Sequence, residues 1–159
     1  MFALDVKVNR YESVLSPVLQ DKDYIPPKAM IDCKGILDVF HYQQCGQSWS
    51  GNQLGNCTDE TMCSAGCAVS STAMLLYASG VDVDPGQLNT WLTNNGGYAN
   101  GCDIYWGVAA NYPGSQITWH ASMGYNLTTI KSEIDAGNPV IANVNDGTHF
   151  VVITGYNGT

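Results

Sequence analysis

Close to Gly137 the hydrophobic pattern of this chain changes its period, and that change limits the fold more than any other feature. Before it, apolar residues recur at helical spacing; after it, they come in two β-rich runs. From Cys67, residues Val69, Ala73, Leu76 and Tyr77 fall at helical intervals, and Ala68 and Leu75 add a second apolar face. A helix apolar on most sides is a buried one, and Gly80 supplies its stop. A second helix opens at Asp84-Pro85, a cap followed by proline at the first helical position, and stops at Gly96-Gly97. A third is expected from Asp103 to Asn111, ahead of Pro113; a fourth carries Leu127, Ile130 and Ile134 on one face and ends at Gly137. Residues 140–144 and 149–153 then read as strands joined by Asn145-Asp146-Gly147-Thr148, whose Asp-Gly is a hairpin signal. Helices first and an antiparallel sheet later make an α+β domain.

Its 159 residues are enough for one domain that buries roughly two-thirds of its unfolded surface. Residues 35–159 are read as that domain, with Ile36–Phe40 as a short strand and 45–66 as a Gly-, Asn-, Ser- and Cys-rich loop that needs stapling. Residues 1–34, with Lys7, Arg10, Lys22, Lys28 and a Pro26-Pro27 break, read as an extension, linker or pro-segment. The opening MFALDVKVNR lacks the basic and apolar regions of a signal peptide.

A formal charge of −8 would repel a phosphate backbone or an anionic membrane, so nucleic-acid binding is set aside. No apolar run approaches the roughly 20 residues needed to span a bilayer. Six cysteines in so short a chain point to an oxidising, extracellular compartment, where the sequons at Asn56, Asn126 and Asn157 would be glycosylation acceptors. The cysteines lack zinc spacings, and no metal or organic cofactor is implied. Cys57 and Cys63 are close enough to bridge and staple the loop. If Cys67 is free, five others remain, which allows two bridges and a spare; three bridges and no nucleophile is the other parity.

Cys67 sits where the buried helix begins, after Ser64-Ala65-Gly66. The helix's free N–H groups favour a thiolate there, the setting a cysteine nucleophile requires. His149 opens a strand after a Gly-Thr turn, which puts its ring near a loop rather than mid-core. The competing readings are a disulfide partner for Cys67 and a turn-bonded structural histidine for His149. His41 and His120 read as structural, and Trp49, Trp91 and Trp106 as core.

One ordered set of residues resembles a known family. His41-Tyr42-Gln43-Gln44, Trp49, Ser64-Ala65-Gly66-Cys67-Ala68 and Met74-Leu75-Leu76 are followed by Pro85, Leu88, Trp91-Leu92 and Gly96-Gly97-Tyr98. Trp106, Gly137-Asn138-Pro139-Val140-Ile141 and residues 149–156 complete it. The set, over about 39–156, is similar to papain-clan cysteine peptidases related to the bacteriocin double-glycine leader peptidases, the peptidase C39-like family. The resemblance implies a papain-like fold and thiol-dependent hydrolysis of a peptide or protein substrate. It implies Cys67 as nucleophile, His149 as general base and acid, and Gln44 as side-chain donor to an oxyanion hole completed by the Cys67 backbone N–H. The family pattern continues past the histidine strand to an Asp or Asn that orients the His, whereas this chain stops ten residues after His149. Thr159 is therefore expected not to be the natural end of a self-sufficient domain, and another segment, of this protein or a partner, should pair beside residues 149–156. Asn157 falls in an apparent Asn-Gly turn, so no orienting residue is named. The rival readings are a cell-wall cysteine amidase or endopeptidase of the NlpC or CHAP type, and a non-catalytic papain-like module in adhesion or assembly.

Overall fold

The computed structural model describes residues 2–6 and 36–157. Its elements run β1 (Phe2–Val6), α1 (Met62–Ala65), α2 (Cys67–Ala78), α3 (Pro85–Asn94), β2 (Tyr98–Ala99), β3 (Asp103–Ile104), α4 (Trp106–Ala110), β4 (Ile117–Ser122), α5 (Leu127–Asp135), β5 (Val140–Val144) and β6 (His149–Ile153). Among the described residues the strands form three antiparallel pairs, β1 with β4, β2 with β3 and β5 with β6. The architecture is α+β, mixed helices with small antiparallel sheets.

The helix beginning at Cys67 is the buried one. Val69 is 1% exposed, and Ala73, Leu75 and Leu76 are fully buried. The helix packs against β6 on one side and α3 on another. Ser70, Ser71 and Thr72 are buried with it, so even its polar residues face protein. Thr72 resolves this by donating its hydroxyl to the Ala68 carbonyl at 2.8 Å. Gly80, at φ 92°, ends the run in the left-handed conformation that favours glycine.

α3 starts where its sequence places it. The Asp84 carboxylate accepts the Gln87 backbone N–H at 2.8 Å, and the Gln87 side chain accepts the Asp84 N–H at 3.0 Å. That reciprocal pair satisfies two of the helix's orphan donors, and Pro85 costs nothing at a position that needs no N–H. β5 and β6 pair in the expected hairpin, Val144 opposite His149, through a 3-10 turn over Asn145–Gly147. All three turn residues have positive φ, the conformation that Asn, Asp and Gly tolerate best.

Several expectations need correction. The helix expected over 103–111 forms only at Trp106–Ala110, because Asp103–Ile104 turns back onto Tyr98–Ala99. Asn100 and Gly101, both at positive φ, make that reversal, and Cys102 is held beside it by a bridge to Cys57. Cys57 therefore does not pair with Cys63, which bridges Cys45. Leu127 does not share the buried face of Ile130 and Ile134: it closes an exposed stretch over 122–128 and is 46% exposed. Ile36–Phe40 forms no strand. Among the described residues that segment makes one backbone bond, Leu37 N–H to the Thr154 carbonyl at 2.7 Å, which lays it beside the end of β6.

The loop over 45–66 is ordered by its bridges and by backbone bonds. Cys63 N–H reaches the Ser50 carbonyl at 2.9 Å, and Met62 N–H the Asn52 carbonyl at 2.8 Å. Asn89, 4% exposed, holds the far side of the loop: it accepts from Gly55 N–H and Tyr98 Oη–H and donates to the Gln53 carbonyl. Burial pushes the Tyr98 phenol far above its ordinary pKa, so it stays a neutral donor in that network. The reading of residues 1–34 falls, apart from β1, outside the described residues, as does Cys33. Among the described residues no helix is long and apolar enough to cross a membrane.

Candidate active site

Gly66 decides where the nucleophile candidate stands. It closes α1 by donating its N–H to the Met62 carbonyl at 3.0 Å, and it opens α2 by accepting from Ser70 N–H at 2.9 Å. A Cβ at Gly66 would lie 2.4 Å from the Met62 carbonyl oxygen and 3.0 Å from its Cα, so only glycine allows the two helices to abut. Cys67 is consequently the first residue of α2, half-buried, with its sulfur 4.0 Å from the Ala65 carbonyl oxygen. Among the described cysteines it alone carries a free thiol.

A cleft of about 640 Å³ opens at that point. Cys67, Gln44 and His149 all line it, although 23 residues separate Gln44 from Cys67 and 82 separate Cys67 from His149 in sequence. His149 enters as the first residue of β6. The strand behind it is anchored by Phe150, whose ring meets Trp106 edge-on at 5.2 Å; Trp106 in turn stacks on Trp119 at 6.0 Å. Trp106 is 8% exposed, in keeping with the core role expected for it.

Gln44 is held from two directions. Its Nε2 donates to the Cys63 carbonyl at 2.7 Å, and the adjoining Cys45 is bridged to Cys63 itself. A carbonyl acceptor requires the amide's NH₂ end, which fixes the amide's orientation and leaves a second N–H on the same nitrogen. The segment around it is braced by Trp49, whose indole N–H donates to the Gln43 carbonyl at 3.2 Å, and by Ser50, whose hydroxyl donates to the Gln44 carbonyl at 3.3 Å.

The structure adds cleft residues that sequence reading did not single out. Ser70, Ser71 and Met74 line it, one and two turns beyond Cys67 on the same helix, so the helical period measured from Cys67 would have found them. The Ser70 hydroxyl is buried there without a hydrogen-bond partner among the described residues. His41, read from sequence as structural, is exposed and lines the cleft. His120 lies on β4. Tyr42, also at the cleft, has its phenol pKa raised, first by burial and then by the negative field of Asp82, by Tyr77 and by Asp84. No group of three His, Cys, Asp or Glu side chains among the described residues is arranged to hold a metal ion.

Comparison with known families finds a match to the model of the Peptidase_C39 like family over residues 36–159. No curated protein and no solved structure matches the chain.

Proposed function

The chain belongs to the Peptidase_C39 like family, and from that premise we propose that it hydrolyses peptide bonds by a papain-type Cys–His mechanism on a papain-like scaffold formed by residues 35–159. The observation that carries the reading is the convergence of Cys67, His149 and Gln44 from three distant segments on one cleft. A free thiol at the start of a buried helix, lining the same cleft as an imidazole at the start of a strand, has the parts for nucleophilic catalysis.

In this reading His149 takes the proton of Cys67, and the sulfur attacks the scissile carbonyl carbon. The carbonyl electrons move onto oxygen, where the second N–H of Gln44 Nε2 and the backbone N–H of Cys67 receive the charge. The C–N bond then breaks, the amine leaves with the proton held by His149, and a thioester remains on Cys67. Water attacks the thioester after giving a proton to His149, the acid is released, and the thiol is restored. Every donor in this scheme is preorganised: Gln44 by Cys63 and the Cys45–Cys63 bridge, the Cys67 N–H by the helix start.

Two disulfides support placing the protein in an oxidising, extracellular setting. The sequon residues Asn56 and Asn126 are exposed, which suits glycosylation in a secretory route. Two measurements test the proposal together. Iodoacetamide on the unreduced protein should alkylate Cys67 and none of Cys45, Cys57, Cys63 and Cys102, and hydrolysis of denatured protein should stop in proportion. Turnover that survives complete alkylation, or that persists in Cys67→Ser, defeats the mechanism.

A further inference from the structure

Residues 36–157 contain nine Asp and Glu against a single Lys or Arg, Lys131. Lys131 lies on α5 over the Tyr156 ring, 5.0 Å from its centroid, and neither residue lines the cleft. Among the described residues the cleft lining carries no Lys or Arg, so nothing there of fixed positive charge offsets the surrounding excess of carboxylates.

Two further recesses adjoin the cleft, one after the other, through shared lining residues. The cleft shares His41, Tyr42 and Gln43 with a groove of about 350 Å³ that reaches Phe40 and Trp49. That groove shares Trp49 with a recess of about 260 Å³ against the start of α3, lined by Asn52, Asp84 and Gln87. Aromatic rings follow one another among these lining residues, Phe40 to Tyr42 at 4.9 Å and Tyr42 to Trp49 at 5.9 Å, each pair edge-on. Phe40 is 53% exposed and Tyr77, packed on it, 41%. At the far end stands the Asp84 carboxylate, and Asp82 and Asp84 both act on Tyr42 through their charge. Aromatic faces followed by a carboxylate suit a long side chain with an apolar stem and a cationic head, and repel an anionic one.

We propose that the substrate is a cationic polypeptide whose Lys or Arg side chains lie in this lane, along Tyr42 and Trp49 toward Asp84. The inference rests on the peptidase reading of the cleft and names the chemistry of what it cuts. It disfavours peptidoglycan and acidic peptides, whose carboxylates would meet the same field. A side chain in the lane is drawn by charge as well as by contact, so the preference weakens as salt shortens the reach of the field, from about 10 Å at 0.1 M to about 3 Å at 1 M.

The test uses the whole chain and matched fluorogenic peptides carrying Lys or Glu at each position flanking the scissile bond. The Lys member of at least one pair should be cut about tenfold better in kcat/KM at low salt, with the gap closing at 1 M salt. Asp84→Asn keeps a good helix cap while removing the charge, so it should bring the Lys-to-Glu ratio toward unity with little change in Tm. In parallel, binding of labelled oligolysine and oligoglutamate to Cys67→Ser is read by fluorescence anisotropy. Equal cleavage of both series overturns the lane and leaves the peptidase reading standing. Oligolysine binding that weakens in Cys67→Ser/Asp84→Asn, with no cleavage of any peptide by the unmutated chain, supports the lane and overturns the peptidase reading. Neither cleavage nor charge-selective binding overturns both.

Discussion

Replacing Gln44 by alanine separates its structural bond from the oxyanion role proposed for it, because each leaves a different mark. Structurally the change removes one half-buried hydrogen bond, Nε2 to the Cys63 carbonyl at 2.7 Å. Such a bond is worth about 1 kcal/mol net, which in a domain of this size lowers Tm by about 3 °C. The Cys45–Cys63 bridge and the Ser50 and Trp49 braces remain, so the loop should keep its course. Chemically the loss is larger. One oxyanion donor is worth about a hundredfold to a thousandfold in kcat, or roughly 3–4 kcal/mol of transition-state stabilisation. KM should stay within about twofold, since the donor meets full charge only in the transition state. Gln44→Glu should be worse than alanine, because an ionised carboxylate has no proton to give and would face both the Cys63 carbonyl and the developing oxyanion. The assay is steady-state hydrolysis normalised to titratable Cys67 thiol, with Tm measured on the same preparation. Gln44→Ala with undiminished kcat would refute the oxyanion role. A kcat loss accompanied by a Tm drop beyond about 10 °C would mean that Gln44 acts on the fold and not on the reaction.

Gly66→Ala should destabilise by about 1–3 kcal/mol, since its Cβ meets Met62 backbone that cannot step aside. Activity should fall further than the unfolded fraction accounts for, because the start of α2 is displaced; a variant with normal kcat and Tm would show that the junction yields freely. Asn89→Ala removes three hydrogen bonds at a buried site and strands the Gly55 N–H. It should cost about 3 kcal/mol and about 10 °C in Tm, read by calorimetry, while Cys67 stays selectively alkylated.

What the sequence determined by itself is local. A capping pair such as Asp84 and Gln87 lies within four residues, so its hydrogen bonds are encoded where they form. The same holds for the positive-φ turn at Asn145-Asp146-Gly147 and for the placement of Cys67 one residue after a glycine. The change of period near Gly137 announced a hairpin after helices, and β5 and β6 form it, because a side-chain period of two is a property of each strand alone. Tertiary structure decided whatever depends on closing long loops. Sequence spacing favoured Cys57–Cys63, yet the bridges span 18 and 45 residues, since packing and not proximity along the chain brings sulfurs together. Helical expectation over 103–111 lost its first residues to pairing with Tyr98–Ala99, a contact no local propensity records. Leu127 matched its helix face by spacing but stays 46% exposed among the described residues. The cleft is the extreme case: Cys67 and His149 were singled out by their local settings and Gln44 only through the family resemblance, and they share a lining with Ser70, Met74 and the exposed His41 only because α2 packs against β6 beside the segment tied to Thr154. Burial is a property of the assembled elements, and a one-dimensional pattern can state which face is apolar without stating what will come to cover it.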